Sequence, residues 1–238
     1  MTSGRQTPLV TGPGSHSQPR WSPDGRKLAY VSSSAGGTTA QLYVRWLANA
    51  VTARITGLPD TPHGLAWSPD GSRIAYSMFV PDQATTLGKA PDKPEGAKWA
   101  APLQVIDTVT YRNDDDGYAR AGYDQIFWVA ADGGAPIQLT FGARNAGGAL
   151  SWSPDGRSLL FSGNLSADWE RDRVNTEVHE VSIGDHSVRT LTHRNGPDNS
   201  PVVSPDGKLI AYLGFDDRYV GHQNTQLSVM DRDGSHSR

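Results

Sequence analysis

The hydrophobic positions of this 238-residue chain fall in short runs separated by turn-forming polar residues, and one such arrangement is written four times. It reads WSPDGRKLAY at 21–30, LAWSPDGSRIAY at 65–76, LSWSPDGRSLLF at 150–161 and VVSPDGKLIAY at 202–212. In each copy Ser-Pro-Asp-Gly predicts a tight turn. Pro presets φ for the second turn position, Ser suits the first, and Gly supplies the left-handed conformation that closes it. The flanking runs, such as Arg73-Ile74-Ala75-Tyr76 and Lys208 to Tyr212, have strand character. Each unit is therefore expected to be strand, turn, strand. Trp21, Trp67 and Trp152 end the incoming strand, and Val203 takes that place in the fourth copy.

A second, fainter marker travels with the first. Val10-Thr11, Ile55-Thr56, Leu139-Thr140 and Leu191-Thr192 precede the four turn units by ten to twelve residues. Further strand candidates lie at 41–46, 125–130, 178–183 and 226–230, with hairpin turns after two of them at Asp132-Gly133-Gly134 and Asp231 to Gly234. The full unit is then about four strands in roughly 45–50 residues without a helix, which is the signature of a propeller blade. A single blade cannot bury both faces, so neighbours must stack. The predicted fold is all-β, a β-propeller or partial propeller of four-stranded blades, with four repeat units near 17–56, 64–140, 148–192 and 199–238.

The turn aspartates lie 46, 85 and 51 residues apart, so the second unit must carry an insertion, placed at 79–123. Its first part is rich in Pro, Gly, Lys and Ala and reads as irregular, whereas Leu103 to Tyr111 alternates well enough for a strand. A loop of this length within a compact domain is usually functional or poorly ordered. The chain begins in a marker strand, Pro8 to Thr11, and stops after a third strand and its turn. Two arrangements satisfy this: closure of a four-bladed ring by the N-terminal strand, or an arc excised from a larger propeller. The second is favoured, because another Leu-Thr marker should follow.

Composition narrows the function classes. With 26 Gly and 16 Pro the chain is turn-dense, and at net charge −3 it carries no basic stripe, so nucleic acid is not an expected partner. No apolar run approaches a membrane span, and the absence of Cys excludes disulfides and thiolate metal sites. The N-terminus lacks a secretory signal, which predicts a cytoplasmic protein if Met1 is the true start and a periplasmic one if a signal lies upstream.

Candidate chemistry is sparse. Asp24, Asp70, Asp155 and Asp206 are expected to hold their own turns by bonding nearby backbone N–H groups rather than to act as ligands or acids. Residues Asn113 to Gly117 evoke a calcium loop, but the first and twelfth ligand positions fall on Arg112 and Tyr123, so a solvated acidic turn is expected. The seven histidines show no metal spacing and are read as surface or turn residues; His186 and His193 straddle a marker strand. Trp99, Trp169 and Tyr118 are expected either to cap the core beneath the long loop, the preferred reading, or to line a substrate entrance. Asp168, Glu170, Arg171 and Asp172 read as a solvated charge run. No catalytic, cofactor-binding or metal residue is assigned, and no cofactor is expected.

The turn units with their Leu-Thr markers resemble the repeats of TolB and of prolyl oligopeptidase family serine peptidases. Three stretches tilt the resemblance towards the acylaminoacyl-peptidase and dipeptidyl-peptidase branch. Val105 to Tyr118 is similar to that branch's aromatic-basic-x-Asp-Gly-x-Gly segment, with Asp115-Asp116 standing where Gly and a basic residue are usual. Phe161 to Arg171 is like the stretch that follows a family turn unit. Ile210 to Arg218, together with Asn224 to Gly234, is the third. In this family an α/β-hydrolase domain carries the catalytic Ser, Asp and His, and the propeller restricts access to it. The nucleophile elbow Gly-x-Ser-x-Gly occurs nowhere in the chain. The resemblance thus implies a non-catalytic propeller portion that gates peptide access to a hydrolase domain of the same polypeptide, outside this chain. The alternative is a stand-alone TolB-like module that binds protein. A glycosidase reading lacks the paired carboxylates it needs.

Overall fold

The computed structural model describes residues 6–33, 39–82, 88, 91–100, 105–114 and 117–238, and among them there are strands and turns but no α-helix. Three antiparallel sheets of four strands and one of three follow one another along the chain. The first blade comprises β1 (His16–Trp21), β2 (Lys27–Ser32), β3 (Gln41–Trp46) and β4 (Thr52–Arg54). The second opens with β5 (His63–Trp67) and β6 (Arg73–Pro81). A small hairpin of β7 (Arg112–Asn113) and β8 (Gly117–Tyr118) interrupts it before β9 (Gly122–Ala130) and β10 (Ile137–Gln138). The third holds β11 (Gly147–Trp152), β12 (Ser158–Gly163), β13 (Glu177–Ser182) and β14 (Val188–Thr190). The fourth holds β15 (Asp198–Val203), β16 (Leu209–Gly214) and β17 (Gln226–Asp231).

The repeated turn forms as its residues dictate. Gly25, Gly71, Gly156 and Gly207 each donate their N–H to the turn serine's carbonyl, at 2.8–2.9 Å. All four adopt positive φ, between 67° and 74°. The turn aspartate's Oδ1 accepts from the serine hydroxyl and from the N–H two residues on, as Asp24 does from Ser22 Oγ at 2.6 Å and Arg26 N at 3.0 Å. The same pair of bonds recurs at Asp70, Asp155 and Asp206.

The Leu-Thr marker also has a structural cause. Thr56, Thr140 and Thr192 accept, through Oγ1, the N–H of Leu42, Ile126 and Val178 on the third strand of their blade. The hydroxyl completes the ladder where the backbone leaves it, and the preceding Ile or Leu is buried between blades.

Blade packs on blade in sequence. The packing runs from β1 and β2 onto β5, from β5, β6 and β9 onto β11, and from β11, β12 and β13 onto β15. Three apolar clusters fill these contacts, one between each successive pair of blades. Inner-strand tryptophans fasten the first two: Trp67 Nε1 donates to Arg20 O at 2.9 Å, and Trp152 Nε1 donates to Ala66 O at 3.1 Å. Among the described residues no comparable packing joins the fourth blade to the first, so the four blades form an open arc.

Several expectations are corrected. The part of the expected strand at 103–111 that is described, residues 105–111, is irregular; 103 and 104 lie outside the described residues. Its alternation is real, but Val109 N bonds to a side chain, Glu170 Oε2, rather than to a ladder. Pro8 to Thr11 form no strand, for want of a neighbouring third strand to pair with. The fourth sheet, by contrast, has the three strands expected of it, and Val229 and Arg238 exchange both backbone hydrogen bonds. Asp115 and Asp116, central to the acidic turn, lie outside the described residues.

Candidate functional site

All strands within a blade are antiparallel, so their connections alternate between the two ends of the arc. The Ser-Pro-Asp-Gly turns and the third-to-fourth strand turns share one end. The longer connections, including the 79–123 insertion and residues 164–176, share the other. That second end carries a cavity of about 490 Å³, lined among others by Tyr111, Arg120, Tyr123, Trp169, Glu170 and Arg173.

Tyr123 belongs to β9, which pairs with β6 over nine residues from Arg73↔Ala130 to Pro81↔Gly122, so a rigid ribbon carries it to the rim. Trp169 comes from the connection between β12 and β13 and meets Tyr123 edge to face, ring centroids 5.9 Å apart. That connection is fastened by Asn164 Nδ2 donating to Asp172 O at 2.6 Å, and by turns closed on Asp168 O. Arg120 bridges to Asp60 at 2.6 Å and lies over the Phe79 ring, which ties the insertion back to the first blade's exit loop. The bond from Val109 N to Glu170 Oε2, at 3.3 Å, joins the insertion to the third blade. The cavity wall thus combines three aromatic rings with two exposed arginines and with carboxylates that include Glu170.

A second polar group sits at the same end, between the third and fourth blades. The buried Asp198 pairs with Arg194 at 2.5 Å, and Arg194 also lies over Tyr212. Glu177 accepts from Thr192 Oγ1 at 2.5 Å. Burial pushes the Glu177 carboxyl up to about 7, the neighbouring Asp198 charge adding to this. Burial also raises Asp198, against the pull of Arg194.

The residues singled out from sequence separate here. Trp169 lines the cavity. Tyr118 stands beside Tyr111 on the β7–β8 hairpin and is exposed, as is Trp99, so neither caps the core. Arg120, close to Tyr118 in the chain, is instead held by Asp60 and lies over the Phe79 ring. His179 is not a surface residue but is buried on the Phe161 ring. Its Nε2–H donates to Gly163 O at 3.0 Å, which leaves Nδ1 to accept from Thr190 Oγ1 at 3.1 Å. Burial lowers its pKa, so it is a neutral packing residue. The turn aspartates are all drawn below their usual range by the serine hydroxyl and the backbone N–H they accept, Asp70 to about 2. Those oxygens are committed to the turn. Among the described residues no group of three or more His, Cys, Asp or Glu could hold a metal ion. Tyr123, Arg120 and Arg173 went unnoticed in the sequence because only the fold brings strand end, insertion and loop together.

Comparison with known proteins decides the relationship. Over 186 residues the chain is 32% identical to "Uncharacterized peptidase YuxL" of Bacillus subtilis, covering 76% of this chain and 26% of that protein. Over 226 residues it is 24% identical to the Tol-Pal system protein TolB of Francisella tularensis, covering 90% of this chain and 48% of TolB. The chain is a TolB-like β-propeller, similar in sequence to a bacterial peptidase. Among solved structures, the acylaminoacyl peptidase of Pyrococcus horikoshii superimposes with a TM-score of 0.65 at 16% identity. That match covers 94% of this chain and 31% of the peptidase, and it bears on the fold alone. No family model matches the chain. The chain therefore spans about a quarter of the Bacillus relative and about half of TolB. Among the described residues no helix is long and apolar enough to cross a membrane.

Proposed function

We propose that this chain is the non-catalytic propeller portion of a serine peptidase that hydrolyses peptides, gating their access to an α/β-hydrolase domain of the same polypeptide. The observation that carries this reading is the cavity at the loop-bearing end, where the insertion of the second blade meets Trp169 of the third. An aromatic wall with backbone groups and two exposed arginines, Arg120 paired with Asp60 and Arg173, suits an extended peptide. It offers hydrophobic faces for side chains and a cation for a carboxylate. Its described lining holds no Ser, Cys or His, and this reading leaves the chemistry to the hydrolase domain. The sequence similarity to a bacterial peptidase supports the assignment.

The test is made on the polypeptide encoded by the complete reading frame. Deleting residues 83–110 should speed cleavage of long peptides and leave cleavage of dipeptide-sized substrates unchanged. Equal effects on both lengths would remove the gate. A second reading, a stand-alone TolB-like module that binds protein, is favoured by the similarity to TolB along 90% of the chain. A reading frame without a hydrolase domain would select it.

A further inference from the structure

The cavity at the loop-bearing end continues inwards. Beside it lies a second pocket of about 230 Å³, and Asn145, Trp169 and Arg173 line both. The rim cavity is bounded by the insertion and has three aromatic rings in its wall. The inner pocket is of another kind. Trp169 is its one aromatic residue, and the rest of its lining is small or polar, Gly147 and Gly148 of β11 among it. Its volume lies below the usual range of ligand pockets, about 300–1,000 Å³, so it admits a chain end or a side chain rather than a whole peptide.

Hydrogen-bond donors gather in this inner pocket without acceptors. Among the described residues, the Arg173 guanidinium and the Ser162 and Thr176 hydroxyls make no hydrogen bond or ion pair. Asn145 Oδ1 accepts from Asp124 N at 2.8 Å, which leaves the Asn145 amide N–H groups to donate. Asp124 supplies the one carboxylate of the lining, and its Oδ2 lies 3.7 Å from His63 Nε2. The arginines that meet the same loops are already engaged, Arg120 by Asp60 and Arg144 by the Ser166 carbonyl.

The chain also holds Arg173 in position. Asp172 O, just before it, accepts from Asn164 Nδ2 at 2.6 Å and from Asn175 N at 3.3 Å. Asn175 Oδ1 in turn accepts from Gly196 N at 2.8 Å. The backbone on both sides of this exposed arginine is therefore fastened before any ligand arrives, which lowers the ordering cost of binding. A guanidinium offers paired N–H groups in the geometry of a carboxylate.

We propose that Arg173 and the inner pocket receive a carboxylate of the bound peptide while the aromatic rim holds the neighbouring side chains. The chain then selects peptides by charge as well as by length. The carboxylate comes from the peptide's C-terminus or from an Asp or Glu side chain, and the recognition chemistry is the same for both. This role rests on the gating reading for the peptide itself.

The experiment uses the polypeptide encoded by the complete reading frame, treated with a serine-directed sulfonyl fluoride so that peptides bind without being cleaved. Isothermal titration calorimetry at neutral pH compares two pairs of probes. The first is acetyl-Ala-Phe-Ala-Ala as the free acid and as the C-terminal amide. The second is acetyl-Ala-Phe-Ala-Asp amide and its Asn counterpart. The parent should bind the carboxylate member of at least one pair about tenfold more tightly. R173Q should bring that member down to the affinity of its uncharged counterpart and leave the counterpart's own affinity unchanged. A response of the first pair alone assigns the C-terminus, and of the second alone a side chain. Equal affinities within both pairs, a preference that survives R173Q, or an equal loss for both members of a pair would each overturn the proposal. Cleavage by length is not read in this measurement, so the carboxylate preference and the gate can fail separately.

Discussion

The indole N–H of Trp152 reaches across from the third blade to the backbone carbonyl of Ala66 in the second, 3.1 Å away. The bond joins residues 86 positions apart and sits at the rim of an apolar cluster that holds Ala75, Ile126, Leu159 and Phe161. Because each blade is covered by its neighbours, such contacts between blades, more than the ladders within them, hold the arc together. Trp152→Phe keeps most of the ring and removes the donor, leaving the Ala66 carbonyl without its partner. The expected loss is about 1 kcal/mol. Trp152→Ala should cost about 3–5 kcal/mol. Urea unfolding followed by tryptophan fluorescence and circular dichroism reads both.

The turn aspartates give the fold an acid-side dependence. Asp70 is drawn to about 2 by the Ser68 hydroxyl, the Ser72 N–H and the Ser72 hydroxyl, all of which bond to its ionised form. A carboxyl whose folded pKa lies below its unfolded value stabilises above about 4 and loses that contribution as pH falls towards about 2. Asp70→Ala should destabilise by about 1 kcal/mol at neutral pH. Asp70→Asn, which keeps an acceptor but no charge, should cost less and flatten the slope of stability between pH 4 and 2. Thermal melts across that range check the sign.

Glu177 works the other way. Its folded pKa, about 7, lies above the ordinary 4.5, so the folded state holds a proton that the unfolded chain gives up. Its contribution is fully present below about pH 4.5 and is lost as pH rises through about 7. Glu177→Gln should therefore raise the melting temperature at pH 8 relative to the parent and remove the decline between pH 5 and 8. A variant that melts lower than the parent at pH 8 would contradict the assignment.

Gly214 ends β16 against the turn that leads into the fourth blade. A methyl group there would collide with Pro197 O, the Arg194 guanidinium and the Asp198 carboxylate. Two of those groups form an ion pair whose carboxylate, Asp198, is fully buried and would lose its partner if Arg194 moved away. Gly214→Ala should cost about 1–3 kcal/mol, measured by urea unfolding. Gly184→Ala, where nothing crowds the added methyl, should cost far less.

What could be read from sequence was whatever is written locally. Pro, Asp and Gly at fixed offsets declare the turn, and the strand runs at 41–46 and 226–230 match β3 and most of β17 because their signal lies within a few residues. The Leu-Thr marker was visible, but its cause was not: Thr192 Oγ1 meets Val178 N fourteen residues back, a relationship that only the ladder creates. A bulge in every inner strand escaped notice altogether, because the residue that takes positive φ there is glycine in only two, Gly64 and Gly148, and is Gln18 or Ser200 in the others. The cavity was half legible, through Trp169, and half not. Tyr123 and Arg173 are ordinary residues of a strand end and a loop until the fold makes them neighbours.

The nine-residue pairing of β6 with β9 carries a practical consequence. Its register clamps the two ends of the intervening forty residues side by side, from Arg73↔Ala130 to Pro81↔Gly122, before the insertion begins. Beyond such a stem, extra chain adds closure entropy only logarithmically, about 0.6 kcal/mol for each doubling of length. The second blade is therefore a natural graft point. A foreign peptide, an affinity tag or a small folded domain spliced above this stem would ride on the arc while leaving the blade's own strand pairing in register.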